Sequence, residues 1–314
     1  MHSLPTPQGV TMSLSHTSAV LLLVTVMFSP FTPVAGDTTL PTEQAATACG
    51  ESLVNPNNRI VGGSVAAPGE LPWQAGLEWL GLLICGATVI SPQWLLSAGH
   101  CFTTPVESAW AFTVLLDLVN RTVVSPSHRR NVEKYVLHPR FDNVTYDHDL
   151  ALIKLDKPLD LVGMGIRPAC LPSSGQGFTG SNCIASGWGT VQEGSDIKEK
   201  VLRKVDVVVQ NRRACARSLS STYFKSFHIC AGSPEGSKDS CKGDSGGPLV
   251  CPVQVTSDSQ VHWTLAGVIS TGFGCGRLGK FGIYMQVGRY LGWIHRVTGV
   301  DTGVSEEIIP PVVG

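Results

Sequence analysis

Charge of one sign is what this 314-residue chain lacks most: 23 Lys and Arg stand against 24 Asp and Glu, and charged residues make up only 15% of it. With a formal net charge of −1, no overall field recruits nucleic acid or an anionic membrane surface, so any partner has to be selected by a local site. Long apolar runs are scarce too. The stretch from Ala19 to Phe28, "AVLLLVTVMF", falls well short of the ~20 residues that span a bilayer. It ends in Ser29-Pro30 and precedes the small-residue context Val34-Ala35-Gly36, so residues 1–36 read as a secretory signal, although no Lys or Arg precedes the run and Met12 offers a second start. The apolar tail at Glu307 to Gly314 is too short for a lipid-anchor signal. Paired CxxC knuckles are absent as well, which removes the usual zinc frameworks. Ten cysteines, an even number, behind an export signal instead predict five disulfides and an extracellular protein. The sequons Asn120-Arg121-Thr122 and Asn143-Val144-Thr145 make Asn120 and Asn143 glycosylation candidates in that compartment.

No internal repeat is visible, and helical periodicity is nearly missing. It occurs once, near the end, where Tyr290, Trp293, Ile294 and Val297 fall at i, i+3, i+4 and i+7 before Gly299. Elsewhere, beyond a polar stretch through Thr47, short apolar segments recur between turn signals: Ala87 to Ile90, Trp94 to Ser97, Thr113 to Leu116, Leu150 to Leu155, Val201 to Val209, Leu265 to Ser270 and Gly282 to Val287. With 34 Gly and 20 Pro as punctuation, the pattern predicts an all-β body of antiparallel strands with a C-terminal helix, built as one large barrel or two small ones.

Three groups far apart in sequence can be assembled into nucleophilic chemistry: His100 in "LLSAGHCF", Asp149 in "DHDLALIKL" and Ser245 in "GDSGGP". A serine hydroxyl is a poor nucleophile until an imidazole takes its proton and a carboxylate holds that imidazole in the right tautomer. Each residue also has a bland reading, as a core histidine, a turn aspartate and a turn serine. The order His, Asp, Ser excludes an α/β-hydrolase esterase, whose nucleophile comes first.

"RIVGG" at 59–63, Ser97-Ala98-Gly99-His100-Cys101, "DLALIKL", "SGWG" at 186–189 and "DSCKGDSGGP" together resemble trypsin-like serine peptidases of the chymotrypsin family, from residue 49 to about 298. The resemblance implies two six-stranded antiparallel β-barrels with the site between them, a propeptide at 37–59, a peptidase domain at 60–298 and a tail at 299–314. Carried over residue by residue, it makes His100 the general base and then acid, Asp149 its orienter and Ser245 the nucleophile. The backbone N–H groups of Gly243 and Ser245 become the donors to the intermediate's oxyanion. Asp239 becomes the base of a pocket for Arg or Lys, Gly272 and Gly282 its small walls, and Ser270 a substrate-binding residue beside them. Cleavage between Arg59 and Ile60 by an activating protease would free an α-amino group that pairs with Asp244. The implied disulfides are Cys49 with Cys170, Cys85 with Cys101, Cys183 with Cys251, Cys215 with Cys230, and Cys241 with Cys275. Partners follow: protein or peptide substrates and protein protease inhibitors, with no cofactor.

Three departures stand out. Thr271 occupies a position where the family usually has Trp, which reduces the apolar shelf for substrate residues upstream of the cut. Gly99 replaces an alanine beside His100 and is expected to loosen its turn. The segment Leu115 to Arg130, where some relatives hold calcium, offers Asp117 as its only carboxylate and adds His128, Arg129 and Arg130, too few hard oxygen ligands for a metal. These departures keep open a second function, a catalytically silent relative that uses the fold for binding.

Overall fold

The computed structural model describes residues 49–54, 63–233, 235–236, 241–254, 261–272 and 274–303, all of them within the unit Glu43–Gly314. The expected signal, the Arg59-Ile60 bond and Asp239 lie outside the described residues. After a short β1 (Ser64–Val65), six strands close a barrel in the order β2-β3-β4-β7-β6-β5. They are β2 (Gln74–Trp79), β3 (Leu82–Val89), β4 (Trp94–Ser97), β5 (Phe112–Leu116), β6 (Arg129–Leu137) and β7 (Ala151–Leu155). Every neighbouring pair is antiparallel, which short connections allow. Leu77, Leu95, Val114, Leu152 and Ile153 are fully buried.

The second sheet runs β1-β9-β8-β11-β12-β13-β10, from β8 (Asn182–Gly187), β9 (Arg203–Val208), β10 (His228–Ala231), β11 (Pro248–Gln254), β12 (Val261–Thr271) and β13 (Gly282–Gln286). The bridge between Val209 and Ala231 brings the ends of β9 and β10 together, so these strands form a second six-stranded barrel. The double barrel anticipated from the sequence is the observed architecture. The C-terminal helix is also where its periodicity places it: α2 (Leu291–Thr298) buries Trp293 and Ile294 and ends at Gly299, whose φ of 72° lets its N–H reach His295 O at 2.8 Å.

A second helix, α1 (Arg212–Tyr223), was not anticipated. Its only strong inward anchors among the described side chains are Cys215 and Leu219, too few to mark an apolar face. Its start is fixed instead by Asn211, whose side chain accepts the Ala214 N–H at 2.9 Å, and the Cys215–Cys230 bond ties it to β10. All five disulfides form with the implied partners. Among the described residues no helix is long and apolar enough to cross a membrane.

The two barrels meet through backbone and polar contacts that fix the site. Gly86 N–H of β3 donates to Ser245 O at 2.7 Å, Ser186 Oγ of β8 donates to Gln74 Oε1 of β2 at 2.7 Å, and Trp188 Nε1 donates to Val119 O at 3.1 Å.

Candidate active site

His100 sits on a single 3₁₀ turn, Gly99–Phe102, directly after β4, and Asp149 lies just before β7, the strand paired with β4. Pairing those strands brings residues 49 apart in sequence together. The Asp149 carboxylate is completely buried and meets three donors: Oδ1 accepts the His100 N–H at 2.8 Å, Oδ2 contacts His100 Nδ1 at 2.7 Å, and Oδ2 accepts Ser270 Oγ–H at 2.6 Å. Such a carboxylate stays in place because its lone pairs are satisfied away from water. It fixes the proton of His100 on Nδ1, leaving Nε2 as the basic nitrogen facing the cleft.

Ser245 comes from the other barrel, between Gly243 and β11. With His100, Tyr146, Glu193, Lys242, Ser270, Thr271, Gly272 and Gly282 it lines one cavity of about 420 Å³. The imidazole and the Ser245 hydroxyl face the same cavity without a hydrogen bond between them, and catalytic contacts of this kind often tighten only when substrate is bound. Gly243 has φ +97°, and a Cβ there would lie 2.9 Å from Lys198 Cε. Gly246 has φ +80°, and a Cβ there would run into Gly86 O and Ser97 Oγ. Both positions therefore favour glycine for conformation, and Gly246 requires it for space as well. Among the described residues neither the Gly243 nor the Ser245 N–H has an acceptor, so two donors of one tight turn remain available beside the Ser245 side chain.

Gly272 and Gly282 lie close together beside the cavity. A Cβ on Gly272 would lie 3.8 Å from Gly282 Cα and 3.6 Å from Gly274 O, so side chains at these positions would narrow the gap. Thr271 is exposed at the end of β12. Gly99 departs from the expected loosening: a Cβ there would lie 3.0–3.2 Å from three ring atoms of Phe141, so the ring already fills the space an alanine methyl would take.

Asp244 lies in the same turn, one residue before Ser245. Its Oδ1 accepts the Gly189 N–H at 2.7 Å and its Oδ2 the Cys241 N–H at 2.9 Å, yet burial pushes its carboxyl up to about 6, with the two N–H bonds and the nearby Lys198 acting in the opposite direction. A cavity of about 310 Å³ opens beside it, lined by Gly63, Gly187, Gly189, Lys204, Cys241 and Cys275 among others. Side chains on Gly187 or Gly189 would collide with the Asp244 carboxylate.

Over residues 60–294 the chain matches the family model described as Trypsin. The chain belongs to the trypsin family. It is 39% identical over 252 residues to Transmembrane protease serine 9 of Rattus norvegicus, an alignment covering 78% of this chain and 23% of that protein. Against Transmembrane protease serine 7 of Mus musculus it is 37% identical over 247 residues, covering 76% and 28%. This trypsin-family chain thus spans about a quarter of the length of the curated relatives it matches.

Several features of the trypsin-family site were not read from the sequence. Tyr146, with φ 58°, stacks its ring on His100 at 4.9 Å between centroids and 17° between planes; only its place three residues before Asp149 hinted at it. Ser270, assigned to substrate binding, has its hydroxyl on Asp149. Lys198 donates to Leu83 O at 2.7 Å and Ile84 O at 3.3 Å, tying the segment after Trp188 to β3, and burial lowers its ammonium. Glu193 and Arg277 form an ion pair at the cavity mouth, with Nε–Oε2 2.9 Å. Behind Asp149, His148 donates or accepts through Nδ1 with Tyr290 Oη at 3.0 Å and stacks on Phe227 at 4.2 Å. Burial lowers both His138 and His228 to about 4, so these two histidines stay neutral packing groups at neutral pH.

Proposed function

We propose that the enzyme cleaves peptide bonds after Arg or Lys by a Ser245–His100–Asp149 mechanism, and that it is exported as a precursor activated by cleavage between Arg59 and Ile60. The observation that carries the mechanism is the buried Asp149 carboxylate held by His100 and Ser270, with His100 and Ser245 lining one cavity. His100 Nε2 takes the Ser245 proton as Oγ attacks the scissile carbonyl, and Asp149 stabilises the imidazolium that forms. The carbonyl oxygen gathers charge toward the Gly243 and Ser245 N–H groups, where one such donor is worth ~3 kcal/mol of barrier. His100 then returns the proton to the leaving amine, and water repeats the sequence in reverse on the acyl-enzyme.

Arg or Lys preference rests on Asp239, six residues before Ser245, together with the open walls at Gly272 and Gly282. A carboxylate at the end of a narrow pocket pairs with a guanidinium or ammonium and is left unpaired by an apolar side chain. The test is a peptide-library profile of activated parent and Asp239→Ser. The parent should cut after Arg and Lys, and the variant should lose that turnover by roughly three orders of magnitude or more while keeping its fold. Parent-like cleavage of Arg peptides by the variant would remove Asp239 from the pocket.

Export is supported by five disulfides, which persist in oxidising compartments. Activation is supported by the cavity beside Asp244, which contains Gly63, three residues after Ile60. A freed Ile60 ammonium entering there would give the buried carboxylate a directly paired opposite charge and lock the neighbouring oxyanion turn.

A further inference from the structure

The loop between β6 and β7 carries the second sequon, and it folds on itself. Asp142 Oδ1 accepts the N–H groups of Val144 at 2.8 Å and Thr145 at 3.0 Å, Asp142 O accepts the Tyr146 N–H at 2.8 Å, and Asp142 N–H donates to Asp147 O at 3.0 Å. One side of this loop faces the catalytic histidine: Phe141 fills the space at Gly99, and Tyr146 stacks on His100. The other side carries Asn143, Val144 and Thr145, all exposed, with Val144 at 87%. Asn143 borders a shallow groove of about 490 Å³ with Thr103, Glu107, Leu137, Phe141 and Val144. Thr103 follows His100 by three residues and donates its hydroxyl to His100 O at 2.8 Å, so the groove adjoins the wall of the cleft. Asn120 is different: it bridges to Val201 and lines neither this groove nor the catalytic cavity.

From this geometry we infer that Asn143 carries an N-linked glycan that guards the cleft wall beside His100, admitting slender peptides and hindering folded proteins that dock broadly there. The inference rests on the exported-peptidase reading above. In the attachment, Asn143 Nδ2 bonds to C1 of the first sugar of a lipid-diphosphate-linked oligosaccharide, the C1–oxygen bond breaks, the lipid diphosphate leaves with the electron pair, and the amide gives up one proton. A bulky polar chain rooted there sits over the groove. It leaves the reacting atoms untouched but restricts the approach orientations of a large partner, which acts on association rate.

The experiment uses the full chain made in eukaryotic secretory cells and activated, as parent, Asn143→Gln, Thr145→Ala and Thr145→Ser. Peptide mass mapping with and without peptide N-glycosidase reads occupancy. A tripeptide Arg anilide reads small-substrate turnover, and binding to an immobilised Kunitz-type inhibitor reads macromolecular association. The expected result is a glycan at Asn143 in the parent and Thr145→Ser only. Anilide kcat/KM should agree within about twofold across all four, while Asn143→Gln and Thr145→Ala associate with the inhibitor about fivefold faster or more. An unmodified Asn143 in the parent, or equal association rates for glycosylated and sequon-less forms, overturns the guard. Loss of anilide turnover in every form, parent included, would instead sink the peptidase reading, and the inhibitor-binding rates would still decide the guard.

Discussion

Locking the chain in its uncut form, by Arg59→Gln, should expose the energetic burden of Asp244. Its carboxyl moves from 3.8 to about 6 on folding, chiefly through burial. At about 1.4 kcal/mol per unit, ionising it inside the folded chain costs about 3 kcal/mol relative to ionising it in the unfolded chain. Because the folded value is raised, Asp244 does not burden the fold below about pH 4, where the acid is protonated in both states. That advantage is lost as pH rises through 6, where the unfolded state has already released the proton. Under the proposed activation, the Ile60 ammonium of the cleaved parent, ordinarily at ~8, would be raised by pairing and so offset the burden throughout pH 6 to 8. Urea unfolding of Arg59→Gln and of cleaved parent, disulfides intact, at pH 4 and pH 7 measures the difference. The stability gap in favour of the cleaved parent should widen by about 3 kcal/mol between the two pH values. A gap that is the same at both would refute the pairing of Ile60 with Asp244.

Ser270→Ala removes one of three donors to a fully buried carboxylate, a loss of ~1–3 kcal/mol; kcat should fall about tenfold to a hundredfold with KM changed far less, and an unchanged kcat would show that this hydroxyl does not support Asp149. Gly99→Ala should destabilise the fold by about 1–2 kcal/mol through its 3.0 Å approach to Phe141. The double variant with Phe141→Leu should recover most of that loss in thermal unfolding, and strictly additive effects would mean the two do not share the space.

How legible each element was follows from where its energy comes from. Strands β4, β5, β7 and β13 were visible because their residues are buried almost throughout, so apolar runs mark them directly. β6 was hidden: "RRNVEKYVL" has only Val132 buried, and its place is set by pairing with β5 and β7. β8, "NCIASG", buries small residues against β9 and β11, with too little apolar bulk to stand out. Helix α1 depends on a cap and a disulfide, which periodicity does not register. At the candidate site, His100, Asp149, Ser245 and the glycines around them stood out in the sequence because the proposed nucleophile, base and tight turn would each demand a particular residue type. The side chains that tune them were not. Tyr146 on His100, Phe141 against Gly99, Lys198 on the carbonyls of β3 and Glu193 with Arg277 are all contacts between segments far apart in sequence, made by residue types that occupy any surface, and only the folded geometry selects them.

The central claim is that Ser245 is a nucleophile made reactive by His100 and Asp149. A labelled fluorophosphonate, which is attacked only by an activated hydroxyl, tests it most directly, with the modified peptide identified by mass spectrometry in activated parent, Ser245→Ala and His100→Ala. The account predicts stoichiometric capture on Ser245 in the parent, none on Ser245→Ala, and capture slowed by roughly three orders of magnitude or more on His100→Ala. An activated parent that stays unlabelled, or that is labelled at another residue, would contradict it and leave the fold as a binding surface.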